Sequence, residues 1–128
     1  MKIHHISLSV KDLDKSVKFY KDFFGFEEIN RFTKEGWNGE AVILELNNMQ
    51  IELFHFNDFV EKTDDLMKLN VIGLKHIGIE VDNVAEKYDE LKSAGVDIDE
   101  PKKGTTCEKY CFLRDSDGVP IELYESKK

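Results

Sequence analysis

Basic residues, cysteine and long apolar runs are all scarce in this chain of 128 residues, and each shortage closes off a class of function. Lys and Arg number 18 against 26 Asp and Glu, so the net charge is −8 and the pI about 5.0. That balance argues against a nucleic-acid binder, which needs a basic surface to meet phosphates. It also argues against adhesion to anionic membranes. No apolar stretch approaches the roughly 20 residues that a spanning helix needs. Met1, Lys2, Ile3, His4 and His5 lead straight into an alternating strand pattern, without the apolar core of a signal peptide. The two cysteines, Cys107 and Cys111, are too few for a disulfide framework. On one strand they would share a face about 13 Å apart, at about 3.3 Å per residue, which is beyond bridging reach. Two reduced thiols and a cytoplasmic location are the expectation.

What is present is an ordinary globular mixture, 41% hydrophobic and 34% charged, at a length that suits a single domain over residues 1–128. Its most informative feature is an internal repeat. The first half carries His5-Ile6-Ser7-Leu8-Ser9-Val10, a helical stretch and then Ile51-Glu52-Leu53. The second carries His76-Ile77-Gly78-Ile79-Glu80-Val81, a helical stretch and then Ile121-Glu122-Leu123. The glutamate follows its histidine by 47 residues in the first half and by 46 in the second.

Each half reads as a strand, a helix and three strands, an α+β plan. Strict alternation marks strands at 3–10 and 75–81. Asp12 and Asp82 are the expected N-caps, since a short carboxylate can accept the free N–H groups of a first turn. Leu13, Val17, Tyr20 and Phe24 line one helical face, as Val84, Tyr88 and Leu91 do in the second half. Gly25 and Gly95 stand where a left-handed helix terminus is wanted. Further strands are expected at 27–34, 39–46 and 49–56, then at 98–103, 107–114 and 119–125. Asn47-Asn48 and Asp117-Gly118 are matching turn signals. Module 1 therefore covers about 1–57 and module 2 about 74–128, with the Asp- and Lys-rich residues 58–73 as connector.

The repeat becomes chemistry through the strand period, because residues i and i+2 share a face. Ile6, Leu8 and Val10 point toward the helix while His5, Ser7 and Ser9 point away. Ile77, Ile79 and Val81 likewise oppose His76, Gly78 and Glu80. In the closing strands Glu52 and Glu122 lie opposite the aliphatic positions. Two histidines and two glutamates thus occupy faces turned away from the core. Imidazole and carboxylate are what borderline divalent metals select, so His5, Glu52, His76 and Glu122 are candidate ligands of one ion. A solvated polar sheet face is the alternative. His4 and His55 fall on the opposite faces and are not expected to ligate.

With these residues the chain resembles the vicinal oxygen chelate superfamily, which includes glyoxalase I and bleomycin-resistance proteins. The resemblance is carried by His5–Val10 with Asp12-Leu13-Asp14-Lys15-Ser16, by Phe19-Tyr20 and by Phe24-Gly25-Phe26. In the second half it is carried by His76–Val81 and by Phe112-Leu113-Arg114-Asp115-Ser116-Asp117-Gly118 leading into Ile121-Glu122-Leu123. It implies two βαβββ modules forming a half-open mixed β-barrel around a metal site. It also implies that His5, Glu52, His76 and Glu122 fill the metal set of a glyoxalase I-like lyase or isomerase, with nickel or cobalt favoured over zinc, manganese or iron. The expected reaction converts a 2-oxoaldehyde–thiol hemithioacetal by proton transfer through an enediolate, with Glu122 as base and Glu52 as the second candidate. Proton transfer on another carbonyl substrate, as in methylmalonyl-CoA epimerase, is the alternative enzyme. A bleomycin-resistance type of binding protein is the alternative without catalysis.

Ser7, Ser9, Phe54, Phe56 and Tyr124 share the ligand-bearing face and are candidates for lining the substrate pocket. Ordinary packing of the three aromatics is the competing reading. Two positions depart from bacterial glyoxalases: Ser9 stands where an arginine contacts glutathione, and Phe56 where an asparagine is common, although Asn57 is adjacent. Trp37, between Gly36 and Gly39 in a hairpin, is expected to be a solvent-facing loop aromatic, with a mobile lid as the alternative. Small members of this superfamily are often homodimers, so a homodimer acting on a small molecule is expected.

Overall fold

Residues His5–Ser9 alternate between exposed polar and more covered aliphatic side chains, and in the computed structural model, which describes residues 1–61 and 65–128, they form strand β1. Helix α1 (Leu13–Phe24) follows at once. Asp12 has extended backbone, and its side chain accepts the Lys15 N–H at 3.0 Å, as an N-cap does. Gly25, left-handed at φ 77, closes the helix by donating its N–H to the Lys21 carbonyl. Leu13, Val17 and Tyr20 are buried along one face, and Phe26 meets the Tyr20 ring edge-on.

Strands β2 (Glu27–Phe32), β3 (Gly39–Leu46) and β4 (Met49–Phe56) complete the first sheet, in the order β1-β4-β3-β2. β1 runs parallel to β4 and the other pairs are antiparallel. Parallel neighbours need a crossover connection, and the segment that begins with α1 supplies it. The second half repeats the plan with β5 (Ile77–Glu80), α2 (Val84–Ser93), β6 (Lys102–Lys103), β7 (Lys109–Arg114) and β8 (Pro120–Glu125), in the order β5-β8-β7-β6. The chain divides into two compact units, Met1–Lys62 and Thr63–Lys128. Each has its own core: Val42, Leu44, Ile51 and Leu53 in the first, Leu91, Leu113, Ile121 and Leu123 in the second. Residues 62–64 of the expected connector lie outside the described residues.

Several boundaries differ from expectation for identifiable reasons. His76 precedes β5 rather than belonging to it. In module 1 the Gln50 N–H donates to the His4 carbonyl, whereas Pro120, which stands where Gln50 does, has no N–H to give. Strand 98–103 shrinks to Lys102–Lys103 and a lone bridge from Ile98 to Leu113, with Pro101 between them. The expected strand 107–114 begins at Lys109, so Cys107 sits in the preceding loop; both cysteines are buried free thiols. Burial, with a lesser contribution from the Asp99 charge, pushes the Cys111 thiol up to about 11. Asp82 is not the second N-cap; Asn83 is, accepting the Glu86 N–H at 3.0 Å. Helix α2 starts one residue later because Glu125 of β8 accepts the Val84 N–H at 2.9 Å. It ends at Ser93 with Ala94 as cap, and Gly95 keeps the left-handed conformation just beyond.

Asp115, buried at the β7–β8 hairpin, accepts the N–H groups of Asp117 and Val119, both at 2.9 Å, which fixes the turn closed by Gly118. That turn sets the register placing Phe112 beside Glu122.

Two glycines make a contrasting pair. A Cβ on Gly39 would stand 2.0 Å from the His55 carbonyl oxygen, which is backbone and cannot step aside, whereas a Cβ on Gly78 meets nothing within 4 Å. Gly39→Ala is expected to destabilise module 1 by at least about 1–3 kcal/mol, the cost of overpacking. Gly78→Ala should cost less than about 0.5 kcal/mol, as for an uncrowded surface change. Urea denaturation of the two variants checks the difference, and equal losses would contradict it.

Candidate metal centre

In module 1 the register pairs His5 with Gln50, Ser7 with Glu52 and Ser9 with Phe54. His5, Ser7, Ser9, Glu52, Phe54 and Phe56 therefore share one face, as strand alternation requires. The Ser7 hydroxyl donates to Glu52 Oε1 at 3.0 Å. No hydrogen bond or ion pair joins His5 to Glu52; instead His5 Nδ1 lies 2.9 Å from His4 Nδ1, so one of those two ring nitrogens carries the proton. His55 is on the other face, with Nδ1 3.0 Å from the Val10 carbonyl.

In module 2 the expected pair meets directly. His76 Nε2 lies 2.9 Å from Glu122 Oε2, with the side chains 32% and 20% exposed. Gly78 stands opposite Glu122 on one neighbouring strand and Phe112 on the other. The Phe112 ring meets the imidazole edge-on at 5.1 Å, limiting its rotation. The sequence marks Phe112 only as part of the second-half resemblance and not as a site residue, although it alternates with buried Leu113 and so had to share the Glu122 face. Tyr124 shares that face too, but its hydroxyl donates to the Thr106 carbonyl at 2.9 Å and anchors a loop.

Beyond Glu52 the module 1 face becomes aromatic. Phe54 and Phe56 stack at 6.4 Å and 18°, and the Trp37 ring packs against Phe56 at 5.2 Å and against Phe54 and Phe32 at 6.0 Å. Trp37 is thus half-buried rather than a solvent-facing loop residue. Its hairpin is fastened to the end of β4: the Asn57 N–H donates to the Asn38 carbonyl, and the Asn57 amide to Asn38 Oδ1, both at 2.8 Å. Lys34 Nζ lies 5.3 Å from the indole centroid, a cation–π distance. Phe32 and Lys34, also missed from the sequence, join this group because the turn at 34–37 folds back over β4.

The donor chemistry suits a borderline divalent ion, neutral imidazole with carboxylate. Two ligands each about 2.1 Å from an ion and at right angles to one another lie about 3 Å apart. The His76–Glu122 separation of 2.9 Å is a hydrogen-bonding distance that also matches that spacing. Among the described residues no group of three or more His, Cys, Asp or Glu side chains forms a ligand set.

Residues 2–123 match the Glyoxalase/Bleomycin resistance protein/Dioxygenase superfamily, and the chain belongs to it. The superfamily contains many enzymes and also members without catalytic activity. The probable lactoylglutathione lyase of Vibrio cholerae is 34% identical over 135 residues, covering 99% of this chain and 92% of that protein. The mitochondrial methylmalonyl-CoA epimerase of Mus musculus is 30% identical over 132 residues, covering 98% and 73%. Among solved structures, the trypanothione-dependent glyoxalase I of Leishmania major superposes with a TM-score of 0.77 at 25% identity, covering 98% of this chain and 86% of that one. A fosfomycin resistance protein from Listeria monocytogenes, complexed with Mn(II), shares the fold at a TM-score of 0.74 and 21% identity, covering 98% and 93%. Members of the family bind a divalent metal.

Trp37 is the chain's one tryptophan, so its emission reports on the aromatic group alone. Phe56→Ala removes the ring nearest to it and is expected to shift that emission to the red as water reaches the indole. An unchanged spectrum in a folded variant would contradict the packing.

Proposed function

We propose that this protein is a metal-dependent lyase or isomerase of the glyoxalase I type, in which His5, Glu52, His76 and Glu122 hold one divalent ion. The carrying observation is the His76 Nε2–Glu122 Oε2 contact at 2.9 Å, on positions that the repeat duplicates at His5 and Glu52. The reading treats both modules as one glyoxalase-like domain, paired as a half-open barrel within a chain or across a homodimer. Nickel or cobalt is the favoured ion, ahead of zinc, manganese and iron. The similarity to a probable lactoylglutathione lyase supports the reaction type.

When bound, the ion would polarise a substrate carbonyl and so acidify the hydrogen on the adjacent carbon. Glu122 then takes that proton and returns it to the neighbouring carbon while the hydroxyl proton passes from one oxygen to the other, so a 2-hydroxy-thioester replaces the hemithioacetal with no net gain or loss of atoms. Glu52, already accepting a hydrogen bond from Ser7, would stay in place as a ligand. Neutral imidazole nitrogens of His5 and His76 would hold the ion. The edge-on Phe112 ring keeps His76 turned toward Glu122. Phe54, Phe56 and Trp37 present an apolar surface beside Glu52 that keeps water from one side of the substrate.

The test is isomerisation of the methylglyoxal–glutathione hemithioacetal by metal-stripped protein, before and after addition of nickel, cobalt or zinc, with metal uptake measured in the same samples. Turnover that appears only with metal is expected. Stoichiometric uptake without turnover would reject this substrate and favour the second reading, epimerase-like proton transfer on another carbonyl compound, which the similarity to methylmalonyl-CoA epimerase supports. A small-molecule binding protein of the bleomycin-resistance kind would keep its ligand affinity after chelation.

Removing the base has a defined consequence. Glu122→Gln keeps the shape and loses proton transfer, so kcat is expected to fall about 10²–10⁴-fold. Full activity in that variant would remove Glu122 from the reaction.

A further inference from the structure

The two candidate glutamates occupy equivalent places in the repeat, yet their opposite neighbours differ. Ser7 faces Glu52 across the β1–β4 pair, and Gly78 faces Glu122 across the β5–β8 pair. Both pairs are parallel and in the same register, so Ser7 and Gly78 are the same structural position in two modules. At that position module 1 supplies a hydroxyl 3.0 Å from Glu52 Oε1. Module 2 supplies nothing.

Glycine at 78 is not a requirement of the fold. Its backbone is not in the left-handed region, and an added Cβ would meet nothing within 4 Å. Glycine inside a strand weakens it, and commonly marks a bulge or a close approach of another group. No bulge is present at Gly78, where the ladder with β8 is continuous from Ile77 to Glu80. What the missing side chain does provide is room beside Glu122 with no hydroxyl to hold its carboxylate. Glu122's recorded partner is His76 on the same face.

We propose that Ser7 is a positioning residue that fixes Glu52 as a permanent ligand, and that the side-chain-free position at Gly78 leaves Glu122 as the movable glutamate. The inference rests on the metal-site reading above and deepens it. A hydrogen bond to one carboxylate oxygen removes rotational freedom and leaves Oε2 for the ion, which is how outer partners orient metal ligands. A glutamate that must leave the ion, take a proton and return is better served by space than by a second anchor. The Ser/Gly difference therefore assigns different roles to two residues that the repeat would otherwise make interchangeable.

The experiment is the rate at which the metal-loaded protein releases its ion to excess chelator, a readout that needs no substrate. Wild type, Ser7→Ala, Ser7→Thr and Gly78→Ser are compared, with thermal midpoints confirming that each is folded. Ser7→Ala should release the ion roughly tenfold faster or more, and Ser7→Thr, which keeps the hydroxyl, should return close to the wild-type rate. Gly78→Ser installs the second anchor in open space and should slow release while lowering turnover. Release from a folded Ser7→Ala protein at the wild-type rate overturns the role of Ser7, and unaltered release from Gly78→Ser overturns that of Gly78. In either case wild-type uptake of metal leaves the metal-site reading standing. A wild-type protein that takes up no ion overturns both.

Discussion

Parallel pairing of the first and last strand of each module is the constraint from which the rest of the candidate site follows. It sets Ser7 opposite Glu52 and Gly78 opposite Glu122, and it makes the faces of two distant sequence segments coincide. A slip of one residue would turn Glu52 and Glu122 into the aliphatic core and bring Ile51, Leu53, Ile121 and Leu123 to the surface. Those four side chains are almost fully buried, so the slip would cost the hydrophobic stabilisation of both modules. The cores thereby enforce the chemistry of the opposite face. Asp115 reinforces the same register in module 2 by accepting two N–H groups at the turn that feeds β8.

The modules share topology and differ in the environment of their ligand candidates. In module 2 the imidazole and carboxylate are in contact, with an aromatic ring against the imidazole. In module 1 the carboxylate is anchored by a hydroxyl, and the rest of the face is given over to Phe54, Phe56 and Trp37. A duplicated fold allows this division. One copy can keep an imidazole and a carboxylate in contact while the other builds the apolar surface, because each closes its own core.

Most of this architecture was legible in the sequence, because strand alternation and helix periodicity are local signals. β3 and β4 fall where the pattern puts them, and Asp12 and Gly25 bound α1 as their chemistry dictates. The misses arise where a non-local partner decides. Pro120 shortens β5 from the neighbouring strand, and Glu125 takes the Val84 N–H and shifts the α2 cap from Asp82 to Asn83. Trp37 depends on a turn that folds its hairpin over β4, which spacing alone does not encode. Of the site, the faces of His5, Glu52, His76 and Glu122 could be read from alternation. The contacts made by Ser7 and Phe112 could not, since they depend on which residues stand opposite one another across strands.

Both arginines are committed to carboxylates other than Glu52 and Glu122. Arg31 is occupied by Glu28, Asp14 and Glu40, and Arg114 by Asp99 and Asp97; the carboxylates hold both guanidiniums protonated, and Arg114 draws the Asp99 carboxyl below its usual range. With both arginines so engaged, neither pairs with Glu52 or Glu122, whose recorded partners are Ser7 and His76. The chain as a whole carries −8, a field that attracts divalent cations and repels anions. Lys34 lies over the indole beside the aromatic surface, a local cation within that negative field. On the module 1 face the Glu52 carboxylate with its serine, and the aromatic rings with the lysine, thus stand as two separate groups.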